Sequence, residues 1–344
     1  MLRGLVRSVL LWYAFFPHVA LLRLIGPRAA VVVGRAVAWI QWVFLLALGG
    51  GGIGRAMARV LPAVSPGLSV ATTLRRYLEV KHQYFVEWNL YPTARGRRFV
   101  ARTYANIEGR EHVDAALARG RGAIVMAHHF GTFRMIMPAL QQAGYQTHTL
   151  VLRGADYAGK VHDRVAEAVL RRKVEVETTS DLGVIFHRRG SAFGQMAAIL
   201  QQNCVLGIAG DGMAGSHFVD VPYLGGRVAL PTGPAWLCLR SGAPILPAFC
   251  VPEGVARHRV TIHPPLYCEG RSRAAVEDLV RAYAELLDQY SRRYPWAWWS
   301  WRRLEIGQDP DGVARFLVRE LPEEKQTYYS PEHDAEAEPI RTGV

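Results

Sequence analysis

From Gly122 to Arg293 the chain switches repeatedly between short apolar runs and longer amphipathic stretches. Ala123–Ala127, which glycine bounds at its start, Gln146–Leu152, Val174–Thr178 with its period-two alternation, Cys204–Ala209, Phe218–Leu224, Ala243–Val251 and His258–Ile262 read as strands. Tyr157–Arg172, Ser191–Gln202, Gly233–Arg240 and Ala274–Arg293 read as helices, as do residues 72–90 and 112–119 before them. Strands that alternate with helices of this length predict an α/β fold, a mostly parallel central sheet flanked by helices. No internal repeat is present.

The first 60 residues follow a different rule. Val9–Gly26 is apolar except for His18 and Arg23, and Ala29–Gly49 is apolar except for Arg35 and Gln41. Each approaches the roughly 20 residues that cross a bilayer. An arginine at mid-membrane costs about 2.5–3.5 kcal/mol, so a two-pass hairpin is not expected. A single span or two helices lying in the interface fits better, with Arg3 and Arg7 marking a cytoplasmic N-terminus. A buried hairpin of a soluble domain is the alternative. No small-residue cleavage site follows a short apolar core, so no removable signal peptide is read. Pro62–Pro66 reads as a linker. The expected organisation is a membrane-associated helical segment over 1–60, an α/β domain over 67–304, and a polar acidic tail over 305–344, largely disordered after 325.

Charge is as unevenly spread as apolarity. The chain carries a formal +12, yet ten acids face four bases from Glu305 onward, which leaves 37 bases against 19 acids in residues 1–304. Only Lys81, Lys160, Lys173 and Lys325 are lysine. A body this basic suits an anionic membrane surface, an acidic substrate or carrier, or nucleic acid. The run YPWAWWSWRR, Tyr294–Arg303, would serve a membrane interface, an acyl- or phosphate-binding edge, or base stacking. The apolar N-terminus argues against nucleic acid as the partner. Cys204, Cys238, Cys250 and Cys268 lie in apolar runs without CxxC or Cys–His spacing, as reduced core residues of a cytosolic domain do.

The sequence holds no GxSxG elbow, Walker A loop, GxGxxG at a helix start, or HExxH. Serine-hydrolase, P-loop and nicotinamide chemistry are therefore not expected. What remains is Gly122–Arg134, GAIVMAHHFGTFR, where a buried strand runs into His128 and His129 and then toward a helix that closes at Gly144. Ligands of open α/β sheets collect at that carboxyl edge, and a helix start offers amides to an anion or oxyanion. Two acids could face these histidines. Asp211 lies just past the run 204–209, and Asp220 sits between two valines in HFVDVPYLGG. A histidine held by a carboxylate is a general base near neutral pH. The plain alternatives are two histidines satisfied in a turn and an exposed edge-strand acid. Arg188 and Arg189, beside the helix start at Gly190–Ser191, form a candidate phosphate site.

These motifs, in this order, resemble the late acyltransferases of lipid A biosynthesis and the related phosphatidylinositol mannoside acyltransferases, within the wider lysophospholipid acyltransferase group. One matching stretch is His129-Phe130-Gly131-Thr132-Phe133, followed by Arg134 where the family has an acid. The others are IAGDGMAGSHFVDVPYLGG with Leu230-Pro231-Thr232-Gly233, and Pro295–Arg303, which lacks the histidine the family has before its two basic residues. The likeness covers roughly residues 5–305. It implies a glycerolipid acyltransferase-like fold. It also implies transfer of a fatty acyl chain from an acyl-carrier-protein or coenzyme A thioester to a hydroxyl of a membrane lipid or glycolipid. The place implied is the cytoplasmic face of a bacterial inner membrane, with no cofactor, metal or covalent intermediate. His129 matches the catalytic base, and Asp220 matches the acid that supports it in the mannoside branch. The backbone of Phe130, Gly131 and Thr132 is then the candidate oxyanion donor. Arg134, Arg153, Arg188, Arg189, Asp211, Arg302 and Arg303 are candidates for holding donor or acceptor. Arg134 in place of the acid keeps a second reading open, a lipid-binding relative without activity.

Overall fold

The computed structural model describes residues 12–152, 164–178, 183–187, 192–211, 217–308 and 314–318. Four helices lead in: α1 (Pro17–Ile25), α2 (Pro27–Ala47), α3 (Gly51–Val64) and α4 (Val70–Leu90). Next come α5 (Ala94–Thr103), β1 (Ile107–Glu108), α6 (Arg110–Leu117), β2 (Ala123–Ala127), α7 (Ile136–Gln142), β3 (Thr147–Leu152), α8 (Arg164–Thr178) and β4 (Gly183–His187). The chain continues through α9 (Ala192–Gln201), β5 (Val205–Ala209), β6 (Phe218–Tyr223), β7 (Gly226–Pro231), α10 (Gly233–Ser241), β8 (Ile245–Gly254), β9 (Arg257–Ile262) and α11 (Arg273–Arg293). Two strands close it, β10 (Leu304–Gln308) and β11 (Ala314–Val318).

Seven strands form the main sheet in the order β1-β9-β8-β2-β5-β3-β4. All neighbours run parallel except β8 and β9, which pair antiparallel. The centre is apolar on both faces, as a covered parallel sheet must be. Side chains alternate across β2: Ile124 and Met126 join one buried cluster with α3, α4, α10 and α11, while Ala123 and Val125 join another with α6 and α7. β5 leads away through β6 and β7 to β8 on one side of β2, while β2 leads to β3 on the other. The carboxyl ends of β2 and β5 therefore lie where the strand order reverses, and that reversal opens a crevice in sheets of this kind.

A second sheet, β10-β11-β7-β6, carries the hairpin β6–β7, with Asp220 opposite Ala229. The α/β class stands as expected, with two differences in detail. Val174–Thr178 is not a strand but the last turn and a half of α8, and the strand lies further on as β4. Pro62–Pro66 is not wholly linker, because α3 continues to Val64 with Pro62 inside it. Val60, Leu61 and Val64 are buried there, which offsets the backbone bond the proline cannot donate. The stretch expected to be disordered after 325 lies outside the described residues.

The N-terminal helices sort their residues by polarity. α2 buries Ala30, Val31, Gly34 and Ala38, and Gly34 faces Val86 and His82 of α4. Its polar groups point the same way. Arg35 reaches Glu79 at 2.9 Å, Gln41 reaches His82 at 2.8 Å, and the Trp42 indole donates to the Ala71 carbonyl at 2.8 Å. The outer face is left to Val32, Trp39, Ile40, Val43 and Phe44, all exposed.

Candidate active site

β2 and β5 are in register, Ala127 opposite Ala209, and the Gly210 amide extends the ladder by donating to the Ala127 carbonyl at 2.8 Å. Two residues beyond this last pair stand His129 and Asp211. The parallel register alone brings them together. The His129 amide donates to both Asp211 oxygens at 2.9 and 3.1 Å, and the ring Nδ1 lies 2.8 Å from Oδ1. The carboxylate is 6% exposed and the imidazole 28%. Burial by itself would raise the Asp211 pKa. The His129 ring, its hydrogen bond and its amide outweigh that and hold the carboxyl down at about 2. Asp211 is thus an anion at neutral pH, so Nδ1 carries the proton of that bond and Nε2 is the nitrogen left to act.

The two adjacent histidines have opposite surroundings. His128 is fully buried against the rings of Phe249 and Tyr283, at 5.6 and 5.9 Å, and neither ring nitrogen has a partner among the described residues. Burial pushes it down to about 4, against the pull of Asp211. It stays neutral, as packing. His129 instead lines a pocket of about 480 Å³ together with Lys81, Tyr84, Trp88, Phe133, Arg134 and Trp299.

The tryptophan-rich run braces this turn from outside. Phe130 and Trp298 form an antiparallel bridge, and the Gly131 amide donates to the Ala297 carbonyl at 2.7 Å. The Trp299 amide donates to the His129 carbonyl at 2.9 Å, and its indole donates to the Gly131 carbonyl at 2.8 Å. The Trp299 ring meets Phe133 and Tyr84 edge-on at 5.3 and 4.6 Å, and Lys81 Nζ sits 3.1 Å over its face. Trp298 and Trp301 are buried in the core. Gly131 has φ +57, and a Cβ there would stand 1.7 Å from the Cys250 carbonyl. Gly131→Ala is therefore expected to lower stability by more than about 2 kcal/mol, from overpacking and left-handed strain together. A denaturant midpoint unchanged from the parent would contradict that.

Behind the turn lies a buried polar cluster. Thr132 Oγ1 lies 3.1 Å from Tyr104 Oη, 2.9 Å from Cys250 Sγ and 3.3 Å from His258 Nδ1. His258 Nε2 lies 2.7 Å from Glu87 Oε1, Tyr104 donates to Oε2, and Gln83 donates to Oε1 at 3.0 Å. All six side chains are buried. α4 thus anchors the turn with Gln83 and Glu87 and walls the pocket with Lys81, Tyr84 and Trp88.

Several expectations are corrected by this geometry. The carboxylate on the His129 ring belongs to Asp211, not to Asp220. Asp220 is half-buried on β6 in the second sheet, between the buried Val219 and Val221 and opposite Ala229 of β7. The amides of Phe130, Gly131 and Thr132 are not free for an oxyanion. They donate to the carbonyls of His128, Ala297 and Cys250 at 2.6, 2.7 and 3.3 Å. Arg134 does line the pocket, its guanidinium 5.4 Å from the centre of the Trp88 ring. Arg153, Arg188 and Arg189 lie outside the described residues, as do the side chains of Arg302 and Arg303. Among the described residues no three His, Cys, Asp or Glu side chains converge as metal ligands would. Sequence reading missed the aromatic wall from α4 and the Glu87–His258 pair. The one signal for the His129–Asp211 pair was that AHH and AGD end two strands of equal length.

The family model for bacterial lipid A biosynthesis acyltransferases matches residues 22–304. Phosphatidylinositol mannoside acyltransferases from two strains of Mycobacterium tuberculosis are each 27% identical over 247 residues, which is 70% of this chain and 72% of theirs. A match over that span, with the paired histidine at the crevice of an α/β sheet, places the chain: it belongs to the bacterial lipid A biosynthesis acyltransferase family and is an acyl-transferring enzyme.

Proposed function

We propose that the chain moves a fatty acyl group from a thioester to a hydroxyl of a membrane lipid or glycolipid, with His129 as general base. The observation that carries this is the 2.8 Å contact between Nδ1 and Asp211, made by a half-exposed imidazole on a pocket wall. In this scheme the acceptor hydroxyl gives its proton to Nε2 as its oxygen attacks the thioester carbonyl. The imidazolium, steadied by ionised Asp211, returns the proton as the carbon–sulfur bond breaks and a thiol leaves. With the turn amides committed elsewhere, the charge that builds on the carbonyl oxygen falls to the side-chain cations on the pocket wall, Lys81, Arg134 and Lys173. The aromatic wall suits an acyl chain or a sugar face. The thioester is carried by coenzyme A or by an acyl carrier protein.

We assign this chemistry to residues 67–304 and membrane contact to residues 1–60, at the cytoplasmic face of a bacterial inner membrane. α2 is long and apolar enough to cross a bilayer, but it lies along α4 with Arg35, Gln41 and Trp42 all tied to that polar helix. A helix so held reads as lying in the interface, apolar side down.

The test uses purified protein, a coenzyme A thioester with a labelled acyl chain, and bacterial membrane lipid as acceptor. Labelled lipid is expected, and His129→Ala is expected to cut its rate by about 10²–10⁴. Full activity in His129→Ala would refute the mechanism. Lipid binding with no transfer by either protein would favour the inactive relative that Arg134 brings to mind.

A further inference from the structure

Helix α5 reads ARGRRFVART, with four arginines and no acid. Arg95, Arg98 and Arg102 are spaced i, i+3 and i+7, which places them on one face, and all three are exposed. Gly96, Val100 and Thr103 form the buried face. A Cβ on Gly96 would stand 1.9 Å from the Leu90 carbonyl, so the helix is pressed against the end of α4 and cannot roll. On a third side Phe99 packs onto the cluster of Leu22, Ala30, Val31, Val86 and Leu90. The arginine face is thereby fixed beside α1 and α2.

Those two helices bring the opposite property. Of the fourteen large apolar side chains exposed among the described residues, twelve lie between Trp12 and Leu48. On this stretch of the chain nothing acidic faces outward, and the exposed acid that α8 brings near Arg23, Glu175, is paired with Arg172 at 2.6 Å. Residues 1–78 contain no Asp or Glu, and before Glu108 the only acids are Glu79 and Glu87. Both are turned inward, Glu79 onto Arg35 and Arg75, and Glu87 onto His258. Arg28, Arg55 and Arg59 are exposed on the same helical region.

We propose that the Arg95–Arg98–Arg102 face of α5 binds the headgroups of an anionic lipid bilayer, beside the apolar face of α1 and α2 that enters it. An exposed apolar stripe next to an acid-free basic face matches a membrane surface on two counts: hydrocarbon for one and a phosphate layer for the other. Nucleic acid or an acidic protein would use the arginines but would leave the adjoining apolar band unexplained. The proposal rests on the reading that residues 1–60 meet the membrane. It adds which lipids they prefer and which helix reads them.

The experiment is sedimentation of the full chain with phosphatidylcholine vesicles, with and without phosphatidylglycerol, at low and high salt. The parent is expected to bind both, more tightly when phosphatidylglycerol is present, with the added part removed by salt. Each arginine near an anionic surface contributes roughly a fivefold gain. Replacing Arg95, Arg98 and Arg102 together by Gln is expected to remove about a hundredfold of the phosphatidylglycerol-dependent partitioning. Binding to phosphatidylcholine alone, and acyl transfer to detergent-dispersed acceptor, should be unchanged. Phe44→Gln should instead weaken binding to both vesicles, which separates apolar insertion from charge. Equal binding to both compositions by the parent, or an undiminished phosphatidylglycerol preference in the triple variant, would overturn the proposal. So would a triple variant that binds vesicles normally but loses transfer only from a carrier-protein thioester, since α5 would then dock an acidic protein. Loss of all vesicle binding by the parent would take down the membrane reading with it.

Discussion

Asp211→Asn should lower turnover by about 10²–10⁴ while moving the KM for acceptor only a few-fold, and Asp220→Asn should do neither. Asp211 Oδ1 accepts from both the amide and Nδ1 of His129, while Oδ2 lies 3.1 Å from the same amide. An asparagine can keep its oxygen on the ring only by turning its NH₂ toward that backbone N–H, two donors face to face. Flipped, it presents NH₂ to Nδ1 and drives the ring proton to Nε2, the tautomer that cannot take a proton from a hydroxyl. Either orientation removes the negative charge that stabilises the imidazolium. The loss belongs to the pair, so adding Asp211→Asn to His129→Ala should cost little more than His129→Ala alone. Steady-state rates of the four proteins, with Asp220→Asn as the fifth, decide it. If Asp220→Asn were the slow variant and Asp211→Asn the normal one, the register-based pairing would be the wrong description of the working site.

Why the sequence leads to His129 but gives it another carboxylate than the one the structure sets beside it has a physical answer. His129 announces itself locally, since a strand, a turn and a helix start surround it within thirteen residues. Its partner is a matter of strand order. Only once β5 is known to lie beside β2, with Ala209 against Ala127, does Asp211 become the residue opposite, and no local pattern encodes adjacency. Asp220 is favoured by the resemblance, where it matches the supporting acid of the mannoside branch, and a carboxylate between two valines asks for a partner; yet that alternation describes a half-buried hairpin strand in another sheet. A related confusion affected Val174–Thr178. Val174-Glu175-Val176 alternates with period two, but Val165, Val169 and Val176 recur at helical spacing, and the last two are buried at 4% and 2%; over fifteen residues the longer pattern prevails. The tryptophan run was legible as unusual and illegible in role. Its work is to bond the carbonyls of His129 and Gly131, more than 160 residues earlier.

The second large effect concerns stability, and it has a sign. Glu87 and His258 are both fully buried and 2.7 Å apart. Burial alone would push the His258 pKa down, but the Glu87 carboxylate and Cys250 outweigh it and carry the ring up to about 10. A doubly protonated ring has an acceptor at each nitrogen, the Glu87 carboxylate at Nε2 and the Thr132 hydroxyl at Nδ1, while the Gln83 NH₂ 3.0 Å from Nε2 donates to Glu87 and to the Gly254 carbonyl. A histidine whose folded value lies above its unfolded value of about 6.5 stabilises fully below that pH. The contribution then falls as pH rises and is gone beyond about 10, because over that window the folded chain holds a proton that the unfolded chain has released. The parent protein should therefore lose stability steadily between pH 7 and 10, by at most about 1.4 kcal/mol per pH unit from this group. Glu87→Gln keeps the size of the side chain but removes the charge. It should be less stable by about 3–5 kcal/mol at pH 7 and should lose the slope, since His258 no longer has a reason to hold its proton. The two curves should converge near pH 10. Chemical denaturation across that range makes the comparison. A Glu87→Gln protein with the parent's full pH slope would show that the buried pair is not an ion pair. The consequence reaches the active site, because Thr132 is fastened to this cluster and closes the turn that His129 opens. Thr132→Val should therefore slow acyl transfer, with most of the rate recovered in Thr132→Ser, whose hydroxyl can meet His258 and Tyr104 again.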